Sequence, residues 1–175
     1  MPDNYWEQLS RFIAEDMGKI AGKPMSPREV EETLFPGWWD PTGEVTIRRM
    51  DEAGIEKSVL LPEDVGLLVG EGEVSIEEQH RQIAQIAQRY PDRFFYFCQV
   101  DPRRPEALGL LERSVKEWGA WGLKFYPTSG FNPDDRMCDP FLERLAAWGM
   151  PLIVLTGASY GYSEGSHPAR LERIL

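Results

Sequence analysis

The spacing of apolar residues predicts that the first part of the chain is helical. Apolar positions recur at helical spacing over residues 3–21, which predicts an amphipathic helix. Residues 26–29 (SPRE) form a capping box with proline at the first helical position, which predicts a second helix that ends near Leu34. A third helix is predicted over about 43–53, because Thr42 can cap its beginning and Gly54 is a typical residue at a helix end.

A different rhythm begins at residue 58, where short apolar segments alternate with amphipathic ones. The predicted strands cover residues 58–61, 94–100, 122–126 and 152–155, and the predicted helices between them cover 76–90, 105–118 and 139–149. This alternation is typical of parallel strands joined by right-handed helical crossovers. Two architectures fit it: an open doubly wound sheet, or part of a (β/α)₈ barrel.

A glycine-rich segment follows the first strand. Gly66, Gly70 and Gly72 lack the Gly-x-Gly-x-x-Gly spacing of a dinucleotide-binding turn. We therefore predict a surface loop here rather than a nucleotide site. An open sheet that binds a phosphorylated ligand at helix N-termini is a further alternative, which the strand–helix rhythm permits and the glycine spacing does not support.

Lys124 is the most unusual residue at the strand ends, where parallel α/β folds carry their chemistry. Alternation places Lys124 and Tyr126 on one face of their strand, and Leu123 and Phe125 on the face that packs under helices. A buried ammonium is costly unless it is paired. Lys124 therefore either forms a structural ion pair or binds an anion, polarises a carbonyl or acts as a base.

Other strand-end residues complete the candidate site. We predict Lys124, Tyr126 and Asp101 as catalytic residues, and Thr156 and His167 as substrate-binding residues. Each has an alternative structural role: Asp101 can cap the turn into the next helix, and Tyr126 and Thr156 can pack or bond the backbone.

The composition of the chain excludes several classes of function. The 175 residues are about one domain's worth, and 42% are apolar, as in ordinary globular proteins. A net charge of −10 argues against nucleic acid and anionic membranes as partners. The sequence contains no apolar run near the ~20 residues of a membrane span and opens without a signal-peptide pattern.

The cysteines and one histidine are predicted to be structural. The sequence has Cys98 and Cys138 but no Cys-x-x-Cys motif, which predicts reduced thiols in a cytoplasmic protein. His80 lies on the apolar stripe of a predicted helix, which predicts a core histidine.

Five segments from Met50 onward keep a common order and spacing. They are 50–60 (MDEAGIEKSVL), 90–94 (YPDRF), 100–105 (VDPRRP), 122–127 (GLKFYP) and 149–157 (GMPLIVLTG). Together they resemble the amidohydrolase-related family of metal-dependent hydrolases and decarboxylases. The resemblance covers about 125 residues and is specific for the family rather than for a substrate.

This resemblance implies a (β/α)₈ barrel with a divalent metal, often zinc, at its carboxyl-terminal mouth. It implies a hydrolase or decarboxylase of a small carboxylated or cyclic substrate. The family carries a His-x-His pair on its first strand, which occurs nowhere in this sequence, and a metal-binding His where this chain has Leu155. We therefore expect this chain to lack the ligands through which the family binds its divalent metal.

The expected organisation is a helical extension over residues 1–41 and a partial TIM-barrel domain over 42–175. Four strands leave a half-barrel with open edges and an unfilled interior. Pairing into a homo-oligomer, a longer parent chain, or cover by the N-terminal helices would each remedy this. The aromatic residues available for that cover are Tyr5, Trp6, Phe12, Trp38 and Trp39. The alternative function is a non-catalytic barrel remnant that serves in oligomerisation or interaction.

Overall fold

Short parallel strands joined by helices make up most of this computed structural model, which describes residues 3–37, 40–157 and 164–174. The strands are β1 (Ser58–Leu60), β2 (Phe94–Tyr96), β3 (Cys98–Gln99), β4 (Leu123–Phe125) and β5 (Leu152–Val154). The helices are α1 (Asp3–Ala21), α2 (Pro27–Thr33), α3 (Glu44–Ala53), α4 (Gly66–Val69), α5 (Ile76–Arg89), α6 (Ala107–Lys116) and α7 (Asp139–Trp148). Short 3₁₀ turns cover Phe35–Gly37, Pro127–Ser129, Arg136–Cys138, Glu164–Ser166 and Pro168–Leu171. Within these residues, no helix is both long and apolar enough to cross a membrane.

The strand pairings are parallel, as the strand–helix alternation predicts. β1 pairs with β2, and β3, β4 and β5 form a second ladder in that order. The predicted strand 94–100 is interrupted at Phe97. At this point the hydrogen-bonded neighbour changes: Phe97 N–H donates to Leu60 O (3.1 Å) and Cys98 N–H donates to Gly122 O (2.9 Å). The chain therefore bridges the two ladders.

The main core lies between one face of the strands and helices α5, α6 and α7. Leu123 and Phe125 have no exposed surface and belong to this core, together with Leu110 of α6 and Phe141 of α7. This confirms the predicted alternation in β4. The opposite face of the strands points away from these helices, and we call it the inner face.

A second apolar cluster ties the N-terminal helices to the strand ends. This strand-end cluster contains Leu9, Ile13, Ala14, Val30, Val65, Val69 and Tyr126. Val65 follows β1 and Tyr126 follows β4, so α1 and α2 pack at the carboxyl ends of the strands. Phe12 packs against the cluster. The side chains of the other four predicted aromatic residues, Tyr5, Trp6, Trp38 and Trp39, lie outside the described part.

Local signals were mostly correct, with two exceptions. The predicted capping box forms: Glu29 N–H donates to the Ser26 hydroxyl (3.2 Å) and Ser26 N–H donates to the Glu29 carboxylate (2.7 Å). The prediction of Thr42 as a helix cap is correct only in part: Gly43, at φ 80°, occupies the cap position of α3, and the Thr42 hydroxyl accepts a hydrogen bond from Glu44 N–H (3.3 Å). The glycine-rich segment is not simply a surface loop: it contains α4, whose Val69 is buried in the strand-end cluster.

Candidate functional site

Two polar side chains stand side by side on the inner face. Gln99 of β3 and Lys124 of β4 are register partners in neighbouring parallel strands. Their chain neighbours Cys98 and Leu123 are fully buried in the main core. Because side chains alternate along a strand, Gln99 and Lys124 point to the inner face. Neighbouring strands lie about 4.8 Å apart, so the two side chains begin within contact range of each other.

Lys124 is a half-buried cation. Its Nζ lies 4.9 Å from the centre of the Tyr126 ring, in a cation–π arrangement. Burial lowers the pKa of Lys124, and the charge of Glu63 partly opposes that shift. No carboxylate of the described residues lies within ion-pair distance of Lys124 Nζ. The structural ion pair considered for Lys124 is therefore not formed in this part of the chain.

Glu63, which the sequence analysis missed, is the acidic residue whose charge acts on the pKa of Lys124. The residue follows β1 and is exposed, yet enough protein atoms surround its carboxyl to desolvate it. Desolvation raises the pKa of Glu63 above its ordinary value, and the positive charge of Lys124 acts in the opposite direction. Its position after Pro62 at a strand end is the signal that could have identified it.

Gln99 was also missed, and it is unusual in its burial. Only 1% of the residue is exposed, and neither Oε1 nor Nε2 has a hydrogen-bond partner. Leaving a buried donor or acceptor unsatisfied costs about 1–3 kcal/mol, so such groups are rare in folded proteins. The amide of Gln99 is thus a donor and an acceptor held ready on the inner face beside Lys124.

Asp101 lies two residues after Gln99, but its carboxylate already has hydrogen-bond partners. Its Oδ1 accepts hydrogen bonds from Arg103 N–H (3.0 Å) and Nε (2.9 Å), and its Oδ2 accepts from Arg103 Nη2 (2.6 Å) and the Ser129 hydroxyl (2.9 Å). Burial alone would raise the pKa of Asp101, but hydrogen bonds from Arg103 hold it below its usual range. The carboxylate therefore stays ionised and fastens the loops after β3 and β4 together.

A second buried ion pair fixes the end of β1. Asp64 Oδ2 accepts a hydrogen bond from Asp101 N–H (2.7 Å). Its Oδ1 pairs with Arg104 Nη2 (2.7 Å), and Arg104 Nη1 reaches Glu71 as well (2.7 Å). Asp64 and Asp101 thus act as anchors for the segments that carry Glu63 and Gln99.

The remaining predicted residues lie in different surroundings. Tyr126 is buried in the strand-end cluster beside Lys124. Thr156 and His167 are exposed, and His167 Nδ1 accepts from Ala169 N–H (3.2 Å) at the start of a 3₁₀ turn. Within the described ranges, no hydrogen bond, ion pair or ring contact joins either of these two to Lys124. The structure therefore brings Lys124 and Tyr126 together and leaves the roles of Thr156 and His167 as predictions.

His80 lies on the other side of the strands, as its helix stripe predicts. The ring is buried, Nδ1 lies 2.7 Å from Ile76 O, and Nε2 accepts from Gln99 N–H (3.2 Å). Both cysteines are buried free thiols. Burial raises the pKa of the Cys98 thiol to about 12, so it is not a nucleophile at neutral pH.

The described residues, 3–37, 40–157 and 164–174, do not fit a divalent metal. Among the described residues, no group of three or more His, Cys, Asp or Glu side chains could hold an ion. The inner face offers an ammonium, a neutral amide and the Glu63 carboxyl, and a cation beside Lys124 would be repelled. Leu155, at the end of β5, packs against the strand-end cluster.

Comparison with known proteins gives both a family and a fold. The sequence profile of the amidohydrolase family matches residues 47–174. A search of curated protein sequences found no significant match.

Two kinds of solved structure are similar. One is 5-carboxyvanillate decarboxylase from Novosphingobium aromaticivorans, crystallised with manganese and a substituted nitrobenzoic acid; it is 24% identical, with a TM-score of 0.60, over 87% of this chain and 47% of that chain. The other is an uncharacterised TIM-barrel protein from Bordetella bronchiseptica, 21% identical, with a TM-score of 0.66, over 96% of this chain and 56% of that one. The chain thus spans about half the length of these structures, and its fold is a partial (β/α)₈ barrel.

Proposed function

Because this chain belongs to the amidohydrolase family, we propose that it acts as a hydrolase or decarboxylase on a small carboxylated or cyclic substrate bound at the inner face. The observation that carries the proposal is Lys124, a half-buried ammonium with no carboxylate of the described residues at ion-pair distance. An anionic substrate supplies the partner that this cation lacks. The Tyr126 ring lies under the Lys124 ammonium and contributes a cation–π contact.

Glu63 is the proton-transferring group of this proposal. In hydrolysis, Glu63 takes a proton from a water molecule as the water oxygen attacks the carbonyl carbon, and Lys124 stabilises the oxyanion that forms. The carbonyl then re-forms, the bond to the leaving group breaks, and Glu63 gives its proton to that group. In decarboxylation, the bond to the carboxylate breaks and carbon dioxide leaves, the electron pair stays on the substrate carbon, and that carbon takes the proton of Glu63. Both reactions develop negative charge that the ammonium of Lys124 stabilises, and neither step is routed through a metal.

These two reactions predict opposite dependence on pH. Hydrolysis needs ionised Glu63, so its rate rises as pH increases through the pKa of Glu63, which lies above the ordinary 4.5. At higher pH the rate falls again, because Lys124, whose pKa lies below the ordinary 10.5, loses its proton. Decarboxylation needs protonated Glu63, so its rate falls through the same pKa. The pH profile of kcat/KM distinguishes the two reactions.

The test is an activity screen with matched variants. The panel contains lactones, cyclic amides and aromatic acids, including the neighbour's 5-carboxyvanillate, each with and without added manganese or zinc. Lys124→Met should lower kcat/KM by about 100-fold or more. Lys57→Met is the control, because Lys57 is an exposed lysine that lies over the Phe95 ring instead. Equal activity of Lys124→Met and wild type would refute the proposed site.

The second candidate is a non-catalytic barrel remnant that pairs with itself. Two observations favour it: no metal cluster is found in the described residues, and the apolar inner-face residues Val59 and Ile153 are more than one-third exposed. A silent panel together with a stable dimer in analytical ultracentrifugation would favour this function. The homo-oligomer, the division at residue 41 and the cytoplasmic location remain predictions.

A further inference from the structure

The carboxamide of Gln99 is a buried polar group of the inner face that the proposed chemistry does not use. It is 1% exposed, and both of its polar atoms lack hydrogen-bond partners, whereas its backbone N–H is bonded to His80 on the opposite side. A residue whose only task was packing would be apolar here, because apolar replacement removes the cost of two unsatisfied groups. The amide therefore points to a ligand group.

The chemistry of that group follows from the chemistry of a carboxamide. Oε1 accepts one hydrogen bond and Nε2 donates, and the two atoms lie side by side in one plane. The complementary group presents a donor and an acceptor side by side in the same way, as a primary amide or a lactam does. Lys124, the register partner of Gln99, supplies a positive charge next to it.

We propose that Gln99 is a specificity-determining residue and that the site takes small acids that also carry an amide, with the amide bound by Gln99 and the carboxylate by Lys124. Gln99 is closed to solvent in the structure, so the ligand reaches its amide when the partly buried Lys124 side chain, with its four rotatable carbons, moves aside. This inference rests on the proposed binding of a carboxylate by Lys124.

The experiment compares simple probes on the full chain. Benzoate carries the carboxylate alone, benzamide carries the amide alone, and 2-, 3- and 4-carbamoylbenzoate carry both at three separations. Dissociation constants are measured by NMR titration of ¹⁵N-labelled protein. The side-chain NH₂ signals of Gln99 are assigned as the pair that disappears in Gln99→Met.

We expect at least one carbamoylbenzoate to bind about tenfold tighter than benzoate, which is the magnitude of a satisfied buried amide. The gain should disappear in Gln99→Met, which keeps the shape of the side chain and removes its hydrogen bonds. It should remain in Gln88→Met, because Gln88 is an exposed glutamine on α5. The Gln99 NH₂ signals should shift with the carbamoylbenzoates and not with benzoate.

Three outcomes would overturn the inference. A gain below twofold for all isomers, or an equal gain in Gln99→Met, would show that Gln99 does not read an amide. If the Gln99 NH₂ signals do not shift when the protein is saturated with carbamoylbenzoate, the amide does not bind the ligand, and its partner is an internal water. If benzoate fails to bind, or binds Lys124→Met equally, the proposed carboxylate site itself is wrong, and the inference falls with it. Should Gln99→Met not fold, the NH₂ signals of Gln99 are assigned by triple-resonance NMR of the wild-type protein, and the wild-type probe series still decides.

Discussion

The two faces of the same strands differ in how completely their polar groups are satisfied. On the helix side, the Tyr96 hydroxyl donates to Ser114 (3.0 Å) and both ring nitrogens of His80 have partners. On the inner face, one residue along the chain from the fully buried Cys98, Gln99 has a buried amide without partners. Cys98 and Gln99 are joined by one peptide bond and are both buried. Burial alone therefore does not decide whether a polar side chain has a hydrogen-bond partner.

The helix side of the strands supplies stability, and the inner face carries the groups proposed for function. The helix side buries a contiguous apolar core and leaves few polar groups without partners, which is the usual condition of a folded interior. The inner face carries Lys124 and Gln99 at a cost in stability. Proteins break local rules of this kind mainly at functional sites, where a ligand supplies the missing interaction.

The largest expected effect is on the helix side. Phe125 packs edge-to-face against Phe131 (5.5 Å between ring centres) and Phe141 (5.8 Å) and has no exposed surface. Phe125→Ala should lower the free energy of unfolding by about 3–5 kcal/mol in urea denaturation. The inner-face control, Ile153→Ala in the adjacent strand, removes a residue that is 36% exposed and should cost about 1 kcal/mol. Equal losses would contradict the division between the faces.

A smaller effect, of opposite sign, is expected from Gln99 in the absence of ligand. Gln99→Met replaces two unsatisfied polar atoms by an apolar side chain of similar shape, so it should raise the free energy of unfolding by about 1 kcal/mol. Urea denaturation of the two proteins measures this. A clear loss of stability would mean that Gln99 already has a bound partner in the free protein.

The smallest effect concerns His80 and pH. Burial lowers the pKa of His80 below its ordinary 6.5, so the unfolded chain binds a proton more readily than the folded one. The stability from neutral His80 is therefore complete above pH 6.5 and is lost as pH falls below that value toward the folded pKa. Urea denaturation at pH 5 to 8 should show this decline. It should persist in His167→Gln, which alters the only other histidine of the sequence; a decline abolished by that variant would assign it to the exposed residue.

Short-range signals were sufficient to predict the elements of the fold. The capping box at Ser26, the glycine ends of α3 and α7, and the alternation at Leu123 and Lys124 each depend on residues within one or two turns. Helix α4 was missed because its stability depends on burial of Val65 and Val69 against α1, a contact between distant parts of the chain.

The candidate site was predictable only in part, for the same reason. Lys124 was recognisable as a charge within an apolar strand. Gln99 offered a similar polar interruption in FYFCQV, but only the structure shows that its amide is buried and has no partner. The engagement of Asp101 by Arg103 and Ser129, and the electrostatic coupling of Glu63 to Lys124, join residues from different strand ends that no local pattern connects.

The strand-end cluster also imposes an order on how the chain is made. Leu9 and Ile13 of α1 leave the ribosome early, whereas Tyr126, with which they pack, is synthesised more than a hundred residues later. At roughly 5–20 residues per second, α1 waits several seconds for that partner. Until then α1 can pack only against Val30, Val65 and Val69, so its apolar stripe is fully covered only after β4 has been made.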